Sequence, residues 1–270
     1  MNVLCPLAYI TFKEGIRNRA FYGISIIALL MLAANFLISG VIMQEVGKVA
    51  VDIALSAVSF SGLLVVFFVG INLLAKDLDR KTIYMVLSKP ISRSQYIWGK
   101  FFGIVLLLIA TMLFLGVFAI LSIFLVKIGY PNYFPRFAWS PIFLALVYST
   151  LSMIVLVALS VLFSSFTSTS FITLVLTILS YLIGQSVGGV KVLFEQAAAR
   201  GEDVSILTLK IVKFAYYLFP NLTLFDLKTQ AAHNLPVSST YILWTFLYFL
   251  VYTILLVSLA ALIFKRKEFP

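Results

Sequence analysis

Apolar runs long enough to cross a bilayer recur six times along the chain. They cover Phe21–Met43, Ile53–Ala75, Phe101–Val126, Pro141–Ser164, Ser170–Val190 and Tyr241–Phe264. A hydrocarbon core about 30 Å thick takes roughly 20 apolar residues per helix. None of the six contains Asp, Glu, Lys, Arg or His, and Asp52 lies just outside the second. The pattern predicts an all-α polytopic membrane protein with six transmembrane helices. The first run is too long for the apolar region of a cleavable signal and lacks a small-residue cleavage site. No apolar region precedes Cys5, so a lipoprotein signal fails, and no lipidation motif is evident.

The segments between the runs carry their own patterns. In residues 1–20, Leu4, Leu7, Ala8, Phe12 and Ile16 share one helical face, while Lys13, Glu14, Arg17 and Asn18 lie opposite. This predicts an amphipathic helix lying in the membrane plane ahead of the first span. Residues 76–100 read KDLDRKTIYMVLSKPISRSQYIWGK. That stretch is too apolar for a solvated linker, and too charged and Pro-broken for a span. Ser92 and Gln95 stand at capping-box spacing, so a helix is expected to start there and run into the third span. Residues 165–169 make a tight hairpin. Residues 127–140 are rich in Tyr, Phe and Trp, as interface physics favours. Residues 191–239 form the one sizeable soluble-looking segment, with an amphipathic helix over Ser205–Leu218 that Pro220 ends. About fifty residues are too few for a separate core, so this segment should pack on the spans or on a second subunit. The chain is therefore one domain: an interfacial helix (1–20), spans one to five (21–190), the loop 191–239, and the last span with its tail (240–270).

Composition sharpens the class. Of 270 residues, 62% are hydrophobic and 11% charged, and mean hydropathy is +1.10. Soluble domains run at roughly 45–50% apolar and about 25% charged, so a soluble enzyme, a disordered chain and a disulfide-built module are excluded. The formal net charge of +10 would suggest nucleic acid in a soluble protein. Its placement argues instead for topology. Twelve basic residues flank the first span, the 76–100 loop and the C-terminus, while eight are spread over the other, longer loops. By the positive-inside rule both termini are cytoplasmic, and no nucleic-acid partner is required.

The chemistry the chain lacks narrows function. It has no G-x-x-x-x-G-K-[ST] loop for nucleotide phosphates and no G-x-S-x-G. One histidine, His233, and one cysteine, Cys5, cannot make a His/Cys metal site. No metal site and no catalytic residues are expected. The spans hold no ionisable side chain except tyrosine, which weighs against an ion-driven carrier or channel. Energy for any transport would come from outside the chain.

One family brings these features together. Residues 12–19 read FKEGIRNR, residues 76–83 KDLDRKTI and residues 87–93 LSKPISR, with Gly99-Lys100 following. The order resembles the ABC-2 type transporter permeases, and most of all the branch containing the permease of the nitrous-oxide-reductase maturation system. Asp77 and Asp79 stand where that family often has Glu. The resemblance implies a homodimer of permease subunits in the cell membrane, each beside a separate cytosolic ABC ATPase. ATP and Mg would bind that partner, and this chain would hold no cofactor and be no enzyme. The ATPase would dock on residues 76–100. Ile83, Tyr84, Val86 and Leu87 would be the apolar knobs, Asp77, Asp79, Arg80 and Lys81 the charges, and Pro90 and Arg93 part of the same coupling segment. The 1–20 helix would be the family's connecting helix.

The substrate path implied by the resemblance lies at the dimer interface, lined by spans two and five. Its candidates are Ser56, Ser59, Ser61, Asn72, Thr173, Thr177, Ser180, Tyr181 and Gln185. Ordinary helix–helix packing by small polar residues competes with that assignment. The sequence supports a second function equally: a mechanotransmission or scaffold subunit passing the ATPase stroke to an extracytoplasmic partner at 191–239, with nothing translocated. A membrane enzyme is disfavoured by the missing catalytic constellations.

Overall fold

The computed structural model describes residues 4–41, 45–73, 91–134, 137–167, 169–200 and 206–266. Side chains are described for all of these but 195, 197–199 and 206–209. Among these residues the structure is helical throughout, with six helices long and apolar enough to cross a membrane. The elements are α1 (Leu4–Ile16), α2 (Arg19–Val41), α3 (Val46–Leu64), α4 (Arg93–Gly129), α5 (Ser140–Phe166), α6 (Ser170–Ala199), α7 (Ile206–Leu218), α8 (Lys228–Ala232) and α9 (Ser239–Arg266). The spans are α2, α3 with its continuation to Leu73, α4, α5, the stretch Ser170–Phe194 of α6, and α9. The described part of each expected run lies in one of them. The second helix starts earlier than expected and takes in Asp52, which is exposed.

α4 is the central rod. It packs against α1, α2, α3, α5 and α9, and Ile104, Leu107, Leu108, Leu115 and Ile123 are fully buried along it. Its start follows from local chemistry: Ser92 Oγ accepts from the Gln95 amide at 3.2 Å, and Gln95 Oε1 accepts from the Ser92 amide at 3.0 Å. This is the reciprocal cap that the Ser92/Gln95 spacing predicts.

α1 and α4 meet through small residues. Along α1, Leu7 meets Gly99 of α4, Thr11 and the Ala8 carbonyl meet Gly103, and Gly15 meets Leu107. The contacts advance together, turn by turn. So α1 runs lengthwise beside the first turns of α4 and shares their direction. The expectation of a helix lying across the spans in the membrane plane is corrected on this point. The physical reason is Gly99 and Gly103: without a Cβ they let a second backbone settle along α4, the small-xxx-small approach common in membranes. The expected apolar face is otherwise visible, with Leu7 and Ala8 buried and Phe12 and Ile16 half-buried.

A polar knot ties α2, α3 and α4 inside the bundle. Asn35 is fully buried, and its Nδ2 donates to Ala50 O and to Ser122 Oγ, both at 3.0 Å. Ser39 Oγ donates to Asn35 Oδ1 at 3.1 Å, and Ser122 Oγ to Leu32 O at 2.9 Å. Below this level α3 widens into a π-helical turn over Val65–Gly70 and is helical again through Leu73, the last residue described there.

The first turns of α1 and α4 and the last turn of α9 lie at one end of the bundle. Arg93 donates to Lys265 O at 3.2 Å, and the Tyr96 and Phe264 rings stack at 5.7 Å. The opposite end carries Glu45 and Lys48, the 130–139 aromatic segment and residues 219–238. There Lys48 donates to the Glu45 carboxylate, and that bond with its charge holds the Glu45 carboxyl below the usual carboxylate range.

Candidate functional site

The residues expected to dock an ATPase, Asp77, Asp79, Arg80, Lys81, Ile83, Tyr84, Val86, Leu87 and Pro90, lie outside the described residues. The helix ends that border them are described. Lys100 is buried, and its ammonium donates to Leu73 O at 3.2 Å. That bond ties α4 to the second span at Leu73. Arg93 is tied to the last turn of α9. So the two helix ends flanking the 74–90 segment are joined to each other and to the last span.

At the opposite end, polar side chains converge between spans. Ser59 of α3, Ser149 and Ser152 of α5, and Tyr181 and Gln185 of α6 line one cavity, whose lining Leu222 and Phe225–Lys228 complete. It holds about 30 Å³ of water-accessible space, enough for one or two waters. The Ser59 and Ser149 hydroxyls are 2.9 Å apart, and Ser59 also donates to Leu55 O at 2.8 Å. Asp226 and Lys228 bring charges to its rim.

The other path candidates are distributed differently. Thr173 and Thr177 are fully buried; Thr177 donates to Thr173 O, and Thr173 bonds Thr167 across the α5–α6 hairpin. Ser180 is buried. Ser61 is buried and returns its hydroxyl to Ala57 O. Ser56 is half-buried, and Asn72 is exposed with its amide on Phe68 O. Thus Ser59, Tyr181 and Gln185 come together, and the rest do not join them. Ser149, Ser152, Asp226 and Lys228 were not anticipated. The i, i+3 serines on span four were a usable signal once that span was considered.

The floor of the site is the segment after α7, expected to be soluble-looking. Residues 220–231 instead insert between the span ends. Leu222, Phe225, Leu227 and Ala231 are buried, and Gly184 of α6 faces the Pro220 carbonyl at a separation that no Cβ would fit. Tyrosines hold the segment down. Tyr241 donates to Leu224 O at 2.6 Å, Tyr252 to Leu218 O at 3.0 Å, and the Asn221 amide donates to Tyr248 Oη at 3.0 Å. Phe225 sits near the Tyr148 and Tyr248 rings, at 6.4 and 6.2 Å. The segment ends on Asn234 in the left-handed region (φ 53°), which Asn tolerates better than most residues. Tyr241→Phe removes one donor and leaves the Leu224 carbonyl unpaired. It should lower stability by about 1 kcal/mol, read as an earlier thermal transition in detergent, with spans still inserted.

Among the described residues no three His, Cys, Asp or Glu side chains come together to hold a metal. Sequence comparison adds one finding: the profile of the ABC-2 family transporter proteins matches residues 6–269. No curated protein matches the chain significantly.

Proposed function

Since the chain belongs to the ABC-2 transporter family, and is thereby a multi-pass membrane subunit of an ABC transporter, we propose that it is a permease exporting a substrate on ATP hydrolysed by a separate cytosolic subunit. The match over residues 6–269 carries this reading. Within the family we favour the branch of the nitrous-oxide-reductase maturation permease, on the 76–100 motif. Two copies would form the working unit, with ATP and Mg on the partner ATPase. The end bearing Arg93 and Lys265 would face the cytosol, as the charge distribution argues. The ATPase would seat on residues 77–93, and its stroke would enter the helix ends joined by Lys100 and Arg93. The cavity at Ser59, Ser149, Tyr181 and Gln185 would form the outer part of the path, lined also by residues 222 and 225–228. Its hydroxyl and amide lining suits a small polar substrate.

The test is co-purification. Leu87→Asp places a carboxylate in an apolar contact and should reduce the ATPase recovered with the chain by at least about tenfold, a loss of about 1.4 kcal/mol or more. Unchanged recovery would overturn the docking assignment. In liposomes with ATP, movement of a substrate supports transport. A complex whose ATP hydrolysis responds to an outer partner, with nothing moved, would support the transmission reading.

A further inference from the structure

We propose that α7 forms a binding site for an anionic phospholipid, with Lys210 and Lys213 on the headgroup phosphate and the acyl chains along its exposed apolar side. The helix divides into three sectors at 100° per residue. Val212, Ala215 and Tyr216 are half-buried, and the helix packs on α6. Ile211, Phe214 and Leu218 fill the next sector, and they are 58%, 68% and 55% exposed. Lys210 and Lys213, both exposed, form the third sector, with Tyr217 between them at 81% exposed. The helix carries two lysines and no acidic residue.

Depth fixes what meets these sectors. A 30 Å core starting at Ser170 is crossed in roughly 20 residues, near residue 190. Lys191 stands at that level, and its ammonium lies 4.1 Å from the centroid of the Tyr216 ring. The chain then re-enters: Gly188 meets Asn221, and Gly184 meets Pro220 and Leu222. So α7 descends antiparallel to α6, with its C-terminal turn inside the core edge. Lys213 and Lys210 then stand roughly 4 and 9 Å further out along the axis than Tyr216, at headgroup depth. An apolar sector beside a cationic sector, both crossing the interface, matches a lipid lying alongside the helix: chains inward, phosphate outward. Charge complementarity selects an anionic headgroup over a zwitterionic one.

The experiment uses the full chain in detergent, mixed with equimolar phosphatidylglycerol and phosphatidylcholine of identical acyl chains. Retained lipid is counted by native mass spectrometry. Phosphatidylglycerol should be retained about tenfold over phosphatidylcholine. The double variant Lys210→Gln/Lys213→Gln should bring it down to the phosphatidylcholine level, while Lys48→Gln, at the same end of the bundle, should leave it unchanged. Equal retention of the two lipids by the unsubstituted chain, or unchanged selectivity in the double variant, would overturn the proposal. So would displacement of the lipid by excess glycerol 1-phosphate, which would mark a phosphate site without acyl contacts. A dimer that dissociates in the double variant, with lipid selectivity intact, would assign this face to a second copy instead.

Discussion

Asn35→Asp should abolish the folded protein, or leave only a small fraction of it. The Asn35 amide faces two acceptors at 3.0 Å, Ala50 O and Ser122 Oγ, deep among α2, α3 and α4. An ionised carboxylate would place acceptor against acceptor, fully buried. An acid in a span costs up to about 2.5–3.5 kcal/mol on insertion scales, the value reached at the helix centre. The repulsion adds to that. Asn35→Leu is the graded companion. It gives up hydrogen bonds worth about 0.6 kcal/mol each in membranes, and its bulk must fit against α4, so a loss of about 1–3 kcal/mol is expected. Unfolding in mixed micelles and the monodisperse fraction after extraction measure both. Equal losses for Asp and Leu would show that the amide donors are not what Asn35 contributes.

The second large effect is expected at Gly103. A Cβ there would lie 2.7 Å from the Ala8 carbonyl and 2.5 Å from the Thr11 Cβ. The first obstacle is backbone, so no rotamer change relieves it. Gly103→Leu should therefore lift α1 off α4, at a cost of about 3 kcal/mol or more where overpacking ordinarily costs 1–3. Gly103→Ala should show a smaller loss of the same kind. Protease access to α1 reads the undocking, because its docked side, with Leu7, Ala8, Thr11 and Gly15, is buried on α4. If the proposed function holds, ATP turnover of the complex should fall while the other spans stay folded. An α1 that remains protected in Gly103→Leu would refute the packing argument.

The spans were legible because lipid demands an uninterrupted apolar run, and nothing else in the chain satisfies that demand. The start of α4 was legible because Ser92 and Gln95 solve a local hydrogen-bonding problem that needs no tertiary partner. The amphipathic character of α7 was readable for a similar reason: its polar side must meet water or headgroups. What the pattern did not yield was rotation about each helix axis. Lipid tails are as apolar as a protein core, so exposed Leu30 and buried Leu32 look alike in sequence. Hence Asn35 was passed over, and its partners Ala50 and Ser122 could not be paired with it. The polar cavity was half read for the same reason. Ser59, Tyr181 and Gln185 came from two chosen spans, whereas Ser149 and Ser152 came from a third. The insertion of 220–231 depended on contacts with Tyr241, Tyr248 and Tyr252, distant in sequence. The direction of α1 was misjudged because its amphipathic face is the same whether it rests on lipid or along a glycine-notched helix.

α4 runs unbroken for 37 residues, so at 1.5 Å per residue it is about 55 Å long against a 30 Å hydrocarbon core. It begins beside the buried ammonium of Lys100 and ends at Tyr130, next to the aromatic segment at the other end of the bundle. A rod of that length acts as a lever: tilting it by about 10° swings one end past the other by roughly 10 Å. Displacements at its first turn, where α1, the second span and α9 all grip it, would reach the far face reversed and reduced, because the Asn35–Ser122 knot sets the fulcrum. That knot lies near residue 122, close to the far end, so the long arm is on the gripped side. Large travel at the grip becomes small, forceful travel at the aromatic end.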